Sequence, residues 1–280
     1  MTIRIVADST CDLPESLIAE HSITIVPLYI NFGSTGYLDG VEITRDEFYR
    51  RMPDSNPPPT TATPGIERFR RVYERLAEEG ASEVLSIHIS ISLSATVDVA
   101  RKATQETRSV PVTVLDSRQL SLGTGFLVLT AAQAAAEGRP MGEILAALEA
   151  QIKRTHVFAA LDTLEYLRRS GRMNGIAAGL GALLQIKPLL TMYDGKPGAE
   201  RVRTRDRALK RLLEMIESVG PLEKLAIVHS STHERVQAFK EKIRGFLPDG
   251  DIICAGVTPV LGAHIGPDVL GVACVAAPSG

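Results

Sequence analysis

The feature that most constrains this chain is a rhythm. Short apolar runs alternate with longer amphipathic ones through most of its 280 residues. Ile3–Ala7, Ile23–Ile30, Glu83–Ile89, Val112–Leu115, Val157–Leu161 and Lys224–His229 have the length and β-branched content of buried strands. Between them Ile66, Phe69, Val72, Tyr73 and Leu76 recur at helical spacing, and so do Ile144, Leu145, Leu148 and Ile152. Strands that alternate with helices are joined by crossovers and build a mostly parallel sheet. The rhythm restarts near residue 155, which predicts two α/β domains, 1–155 and 156–280.

The punctuation of these elements is equally specific. Asp12 is expected to cap a short helix beginning at Leu13-Pro14. Thr44 and Glu47 have the capping-box spacing for a helix over Arg45–Met52. The run Pro57-Pro58-Pro59 excludes helix and stiffens a loop that ends in Thr60-Thr61-Ala62-Thr63-Pro64, with Thr63 expected as an N-cap and Pro64 at the first helical position. Such a loop delivers hydroxyls to a helix start. Ser94 is expected to cap a helix over Ala95–Thr107, whose N-terminal N–H groups suit a small anion. Leu122–Ala136, Met141–Lys153, Thr163–Ser170, Arg205–Val219 and Thr232–Phe246 read as further helices, and the small-residue run Ile176–Leu184 as a closely packed one. Ile186–Met192 and Ala199–Arg203 flank a hairpin turn at Tyr193–Gly198. Near the end, Asp251–Gly256 and Val269–Val275 read as strands, which leaves His264, between Gly262 and Gly266, in a tight glycine-rich connection.

Composition narrows the function classes. A net charge of −2, with arginines scattered rather than striped, supplies no electrostatic footprint for nucleic acid. No apolar run approaches the ~20 residues that span a bilayer, so no stable membrane insertion is expected. The start, Met1-Thr2-Ile3-Arg4-Ile5-Val6-Ala7-Asp8, reaches an acid too soon for a signal peptide. Three cysteines without a CxxC pair point to a reducing, cytoplasmic setting without a disulfide framework or zinc site. GxxxxGK[ST], GxGxxG after the first strand, GxSxG and HExxH are all absent, so neither a cofactor nor a metal is expected. With no Trp and few aromatics, a large apolar pocket would be lined by aliphatic side chains. The chain reads as a binder more than as a self-sufficient catalyst.

Separated segments, in order, carry a resemblance. They are Ile5-Val6-Ala7-Asp8-Ser9-Thr10-Cys11-Asp12-Leu13, Pro59-Thr60-Thr61-Ala62-Thr63-Pro64, Ile89-Ser90-Ile91-Ser92-Leu93-Ser94-Ala95-Thr96 and Val114-Leu115-Asp116-Ser117. The second half adds Asp162-Thr163-Leu164-Glu165-Tyr166-Leu167 with Gly171-Arg172, Leu184-Gln185-Ile186-Lys187-Pro188-Leu189-Leu190, and Gly262-Ala263-His264-Ile265-Gly266-Pro267. Together they resemble the DegV family, which includes the fatty-acid-binding subunits of bacterial fatty acid kinase. The resemblance implies a two-domain α/β fold, with an N-terminal, mostly parallel sheet flanked by helices and a C-terminal α/β domain carrying a mixed or antiparallel sheet. It implies a long-chain fatty acid at their interface, its carboxylate held by Thr61, Ser94 and His264, with Thr63, Gly262 and Gly266 forming a secondary pocket. It implies that Arg172 docks a separate ATP-dependent fatty acid kinase, which forms the acyl phosphate and brings nucleotide and metal with it. Ala62, Gly65, Ala95, Ile265 and Asp268 depart from the family pattern, and an aspartate at 268 is expected to point away from a carboxylate. Two other readings remain: an enzyme for a small substrate, through the family's fold likeness to a domain of dihydroxyacetone kinases, and a carrier of another lipid. A long aliphatic tunnel would separate the carriers from the enzyme.

Overall fold

The computed structural model describes residues 2–173, 187–230, 232–246 and 252–278. Three sheets organise it. The first is fully parallel, in the order β2 (Thr24–Val26), β1 (Ile3–Asp8), β6 (Glu83–His88), β7 (Val112–Asp116). The largest has six strands in the order β10 (Lys196–Val202), β9 (Lys187–Tyr193), β8 (Thr155–Ala160), β13 (Leu270–Ala276), β11 (Leu222–His229), β12 (Ile253–Gly256). It is antiparallel except at β11–β12, and so mixed, as expected. A small antiparallel sheet, β4 (Thr35–Leu38), β3 (Tyr29–Phe32), β5 (Thr60–Ala62), stands apart.

Side-chain alternation lets each large sheet face two ways. On β1, Ile3, Ile5 and Ala7 join one core, while Val6 packs with Phe69, Tyr73 and Leu76 of α3 (Ile66–Glu78) and Ala100 of α4 (Thr96–Glu106). On β11, Ala226 and Val228 belong to the same core as Ile5, whereas Leu225 and Ile227 face Leu212 of α8 (Arg205–Val219) and Phe239 of α9 (His233–Ile243). Between the two sheets lies α5 (Ser121–Ala136), with α6 (Met141–Ile152) beside it. The result is a stack of five layers: helices, parallel sheet, helices, mixed sheet, helices. An interior helix must be apolar on every side, and twelve of the sixteen residues of α5 are buried. It also needs glycine where it presses on backbone. A Cβ at Gly125 would fall 2.7 Å from the Cys11 carbonyl oxygen, so α5 seats directly on the turn that follows β1.

Several local expectations are corrected. The single strand foreseen over Ile23–Ile30 is two, because Pro27 has no N–H for a ladder; β2 stays in the parallel sheet and β3 starts the small one. Asp12 does not cap a helix. It adopts a left-handed conformation (φ 54°), and α1 (Glu15–Glu20) begins behind Pro14. Thr63 is not an N-cap either, nor is Pro64 the first helical residue: α3 begins at Ile66, behind Gly65. The α4 cap shifts by one residue to Ala95, although Ser94 Oγ accepts the Thr96 N–H at 3.3 Å. Thr44 does cap α2 (Arg45–Arg51), accepting the Glu47 N–H at 3.2 Å. The β9–β10 hairpin turns on Asp194-Gly195, both at positive φ, which is the two-residue turn that matches strand twist. The helix foreseen over Ile176–Leu184 lies outside the described residues.

The largest correction concerns His264. No hairpin joins β12 to β13; they are separated in the sheet by β11. The intervening run is a short helix, α10 (Pro259–Ile265), with Thr258 before it, proline at its first position and Gly266 (φ 82°) at its end. Thr-Pro at the start and glycine at the stop are the ordinary signals of a helix. The β-branched and glycine content of the run concealed them.

Candidate functional site

Open parallel sheets collect ligands beyond the carboxyl ends of their strands, and a mostly aliphatic cavity lies there. It holds about 1130 Å³, mouth included. The parallel sheet contributes Thr10 after β1 and Ile89, Leu93 and Ser94 after β6; β5 contributes Thr61, Ala62 and Thr63. The opposite wall comes from β8 and β9 through Val157, Ala159, Leu190 and Met192, and from α10 through Val260, Leu261, His264 and Ile265. The wall is mostly aliphatic, and no Phe, Tyr or Trp stands among its described residues. Arg172 is the only charged residue described on it, and it is exposed.

The polar groups gather in two linked sets. Thr61 Oγ1 lies 2.9 Å from His264 Nε2, joining residues 203 apart in the chain. Ser94 Oγ lies 2.8 Å from Thr96 Oγ1, which is 3.4 Å from Thr63 Oγ1. Thr96, fully buried, belongs to this hydroxyl cluster although sequence reading did not single it out; its place next to Ser94 and Ala95 at a helix start was the available signal. Burial, and then the positive charge of Arg172, push the His264 imidazole down to about 4. The ring is therefore neutral near pH 7 and carries a single N–H. Its Nδ1 is buried without a hydrogen-bond partner among the described residues.

The glycines beside His264 do packing work instead of forming a pocket. A Cβ at Gly262 would fall 2.5 Å from the Tyr49 hydroxyl, and one at Gly266 would fall 2.4 Å from the Tyr166 ring. Neither lines the cavity, whereas Thr63 does. Asp268 pairs with Arg235 (3.1 Å) and Arg205 (3.7 Å) in a separate crevice. Among the described residues no cluster of His, Cys, Asp and Glu could hold a metal ion, and no helix is long and apolar enough to cross a membrane.

A mostly aliphatic chamber with hydroxyls and a neutral imidazole on its wall suits a molecule with a long apolar body and one small polar head. Fold and site together define an α/β protein built around such a chamber. The chain belongs to the DegV family: the family model described as "Uncharacterised protein, DegV family" matches residues 2–277. It is 36% identical over 274 residues to a DegV domain-containing protein of Streptomyces coelicolor, covering 96% of this chain and 97% of that one. Among solved structures it is similar to a fatty-acid-binding DegV family protein from Thermus thermophilus, with 35% identity, TM-score 0.91 and coverage of 99% and 100%. It is also similar to DegV, a fatty acid binding protein from Bacillus subtilis, with 29% identity, TM-score 0.90 and coverage of 98% and 99%. A stearic acid-binding protein from Eubacterium ventriosum matches at 26% identity and TM-score 0.90, covering 98% of each chain.

Proposed function

We propose that this protein binds a long-chain fatty acid in the aliphatic cavity and presents its carboxylate to a separate ATP-dependent kinase. The observation that carries this reading is the 2.9 Å contact between Thr61 and His264 at the wall of a chamber lined mostly by aliphatic side chains. With the imidazole proton on Nε2, His264 donates to Thr61 Oγ1 and leaves the Thr61 O–H free for a carboxylate oxygen. Ser94, backed by Thr96 and Thr63, supplies the second donor. Hydrogen bonds to a charged acceptor are the strong kind, so no buried cation is required.

Chemistry then needs little from this chain. A carboxylate is ionised at neutral pH, so one oxygen attacks the terminal phosphorus of ATP without a general base, and ADP leaves as the acyl phosphate forms. The partner contributes the nucleotide and its metal. The mostly aliphatic lining favours a ligand with a long apolar body over a small polar substrate. Residues 1–155 and 156–280 form the two proposed domains, with the ligand between them; every strand of the parallel sheet precedes residue 117, and every strand of the mixed sheet follows residue 154. A reducing, cytoplasmic location accords with the three free cysteines.

Two variants test the head-group site. Ser94→Ala and His264→Ala should each weaken hexadecanoate binding by roughly 1–3 kcal/mol, read by calorimetric titration, while hexadecanol affinity changes little. Equal losses for acid and alcohol would remove these residues from the carboxylate.

Arg172 is proposed to meet the kinase. It stands exposed at the cavity, where its charge is worth no more than about 1 kcal/mol to a nearby carboxylate. Arg172→Ala should therefore leave lipid affinity within about fivefold and lower the rate of acyl phosphate formation by a larger factor. An unchanged rate withdraws the docking role.

A further inference from the structure

The three proposed donors stand on separate elements: Thr61 on β5, Ser94 in the loop after β6, and His264 on α10. Buried hydrogen bonds join a residue on the approach to each of them to one segment, residues 8–12, at the end of β1. Asp8 accepts the Ile89 N–H at 3.0 Å and pairs with His88 Nδ1 at 3.0 Å, fixing the start of the segment that runs on to Ser94. Ser9 Oγ accepts the Leu28 N–H at 3.3 Å and donates to Asp39 Oδ2 at 2.7 Å. Leu28 leads into β3, on which Ile30 faces Thr61. Asp12 accepts the Thr258 N–H at 2.8 Å and the Ser121 hydroxyl, so it grips the residue that precedes α10 and the first residue of α5 together.

Asp12 is an expensive residue for mere filling. It is 1% exposed, and it sits at φ 54°, a conformation most side chains avoid. Arg45 offsets part of the cost of burying its charge. A buried acid persists only where hydrogen bonds and a nearby charge satisfy it. It is absent from the lining of the cavity, so it acts on a ligand only through what it holds. What it holds is the start of the helix that carries His264.

We propose that Asp12 is a positioning residue of the head-group site: by anchoring the first turn of α10 it sets where His264 meets Thr61. This rests on the carboxylate reading above. It assigns the acid of the Asp8–Asp12 segment a role in ligand selectivity, separate from its share in holding the fold.

The test compares dissociation constants for hexadecanoate and hexadecanol in the wild type, Asp12→Gly and Asp12→Asn. Glycine removes the acceptor and is at ease at positive φ; asparagine keeps both a carbonyl acceptor and tolerance of that conformation. Asp12→Gly should lower the preference for acid over alcohol by about threefold or more, and Asp12→Asn should restore it to within about twofold of wild type. A merely structural residue would shift both ligands alike, so a preference that falls by less than about threefold in Asp12→Gly overturns the proposal. If Asp12→Gly is not recovered folded, Thr258→Pro carries the same test: it removes the donor, and φ −63° at that position already suits proline. A wild type with no preference for the acid contradicts the head-group reading itself, and the inference falls with it. A wild-type preference that the variants leave intact contradicts the inference alone.

Discussion

Asp8→Ala should destabilise the protein by roughly 3–5 kcal/mol in urea unfolding, the usual result of removing one partner from a buried pair. Asp8 and His88 are both fully buried, 3.0 Å apart. The chain of contacts runs on from His88 Nε2 to Ser86 Oγ at 2.7 Å and from there to the Tyr73 hydroxyl at 2.9 Å. Asp8 further accepts from the Ile89 N–H, the Thr10 N–H at 3.0 Å and the Thr10 hydroxyl. Burial alone would raise its pKa; the hydrogen bond and charge of His88, then Thr10 and Ile89, more than offset this and hold the carboxyl below its ordinary value. The sign of the pH dependence follows. A carboxyl with a depressed folded pKa adds stability that is complete above its unfolded value of about 3.9 and is lost as pH falls through the folded value. The difference in stability between wild type and Asp8→Ala should thus hold at neutral pH and shrink only in acid. A difference below about 1 kcal/mol at pH 7 would mean that the pair contributes nothing beyond packing.

Octanoate should bind at least about 10³-fold more weakly than hexadecanoate. Eight methylenes separate them, and at ~0.8 kcal/mol each the tail difference is about 6 kcal/mol before the cost of ordering the chain. The head groups are identical, so the comparison isolates the aliphatic wall formed by residues such as Leu93, Val157, Leu190 and Met192. The heat-capacity change on binding should become more negative with chain length, the mark of apolar burial. Similar affinities for the two acids would show that the chamber does not hold the tail.

The layered fold was largely legible because each strand carries its own signal: β-branched runs of the right length, bounded by turn residues and alternating with amphipathic helices. What escaped was structure set by partners distant in the chain. The switch of Pro27–Leu28 from one sheet to another depends on β5, which lies across a proline-rich loop. Asp12 read as a cap because local sequence shows an acid before Leu13-Pro14; its actual partner, Thr258, lies 246 residues away. The site was legible only in pieces. Thr61, Ser94 and His264 announced themselves as hydroxyls at loop ends and a histidine among glycines, and the structure places all three on one cavity. Helical periodicity could not assign α10, since it is only seven residues long. Nor could any local pattern show that Gly262 and Gly266 serve Tyr49 and Tyr166, because each glycine is explained by a side chain that it nearly touches.

Mass spectrometry of an organic extract from the purified, natively folded protein reads whether the cavity holds a fatty acid. A long-chain fatty acid is expected at about one molecule per chain, or its uptake to that level on incubation of delipidated protein. Recovery of no fatty acid, with none taken up from saturating hexadecanoate, would contradict the proposed binding.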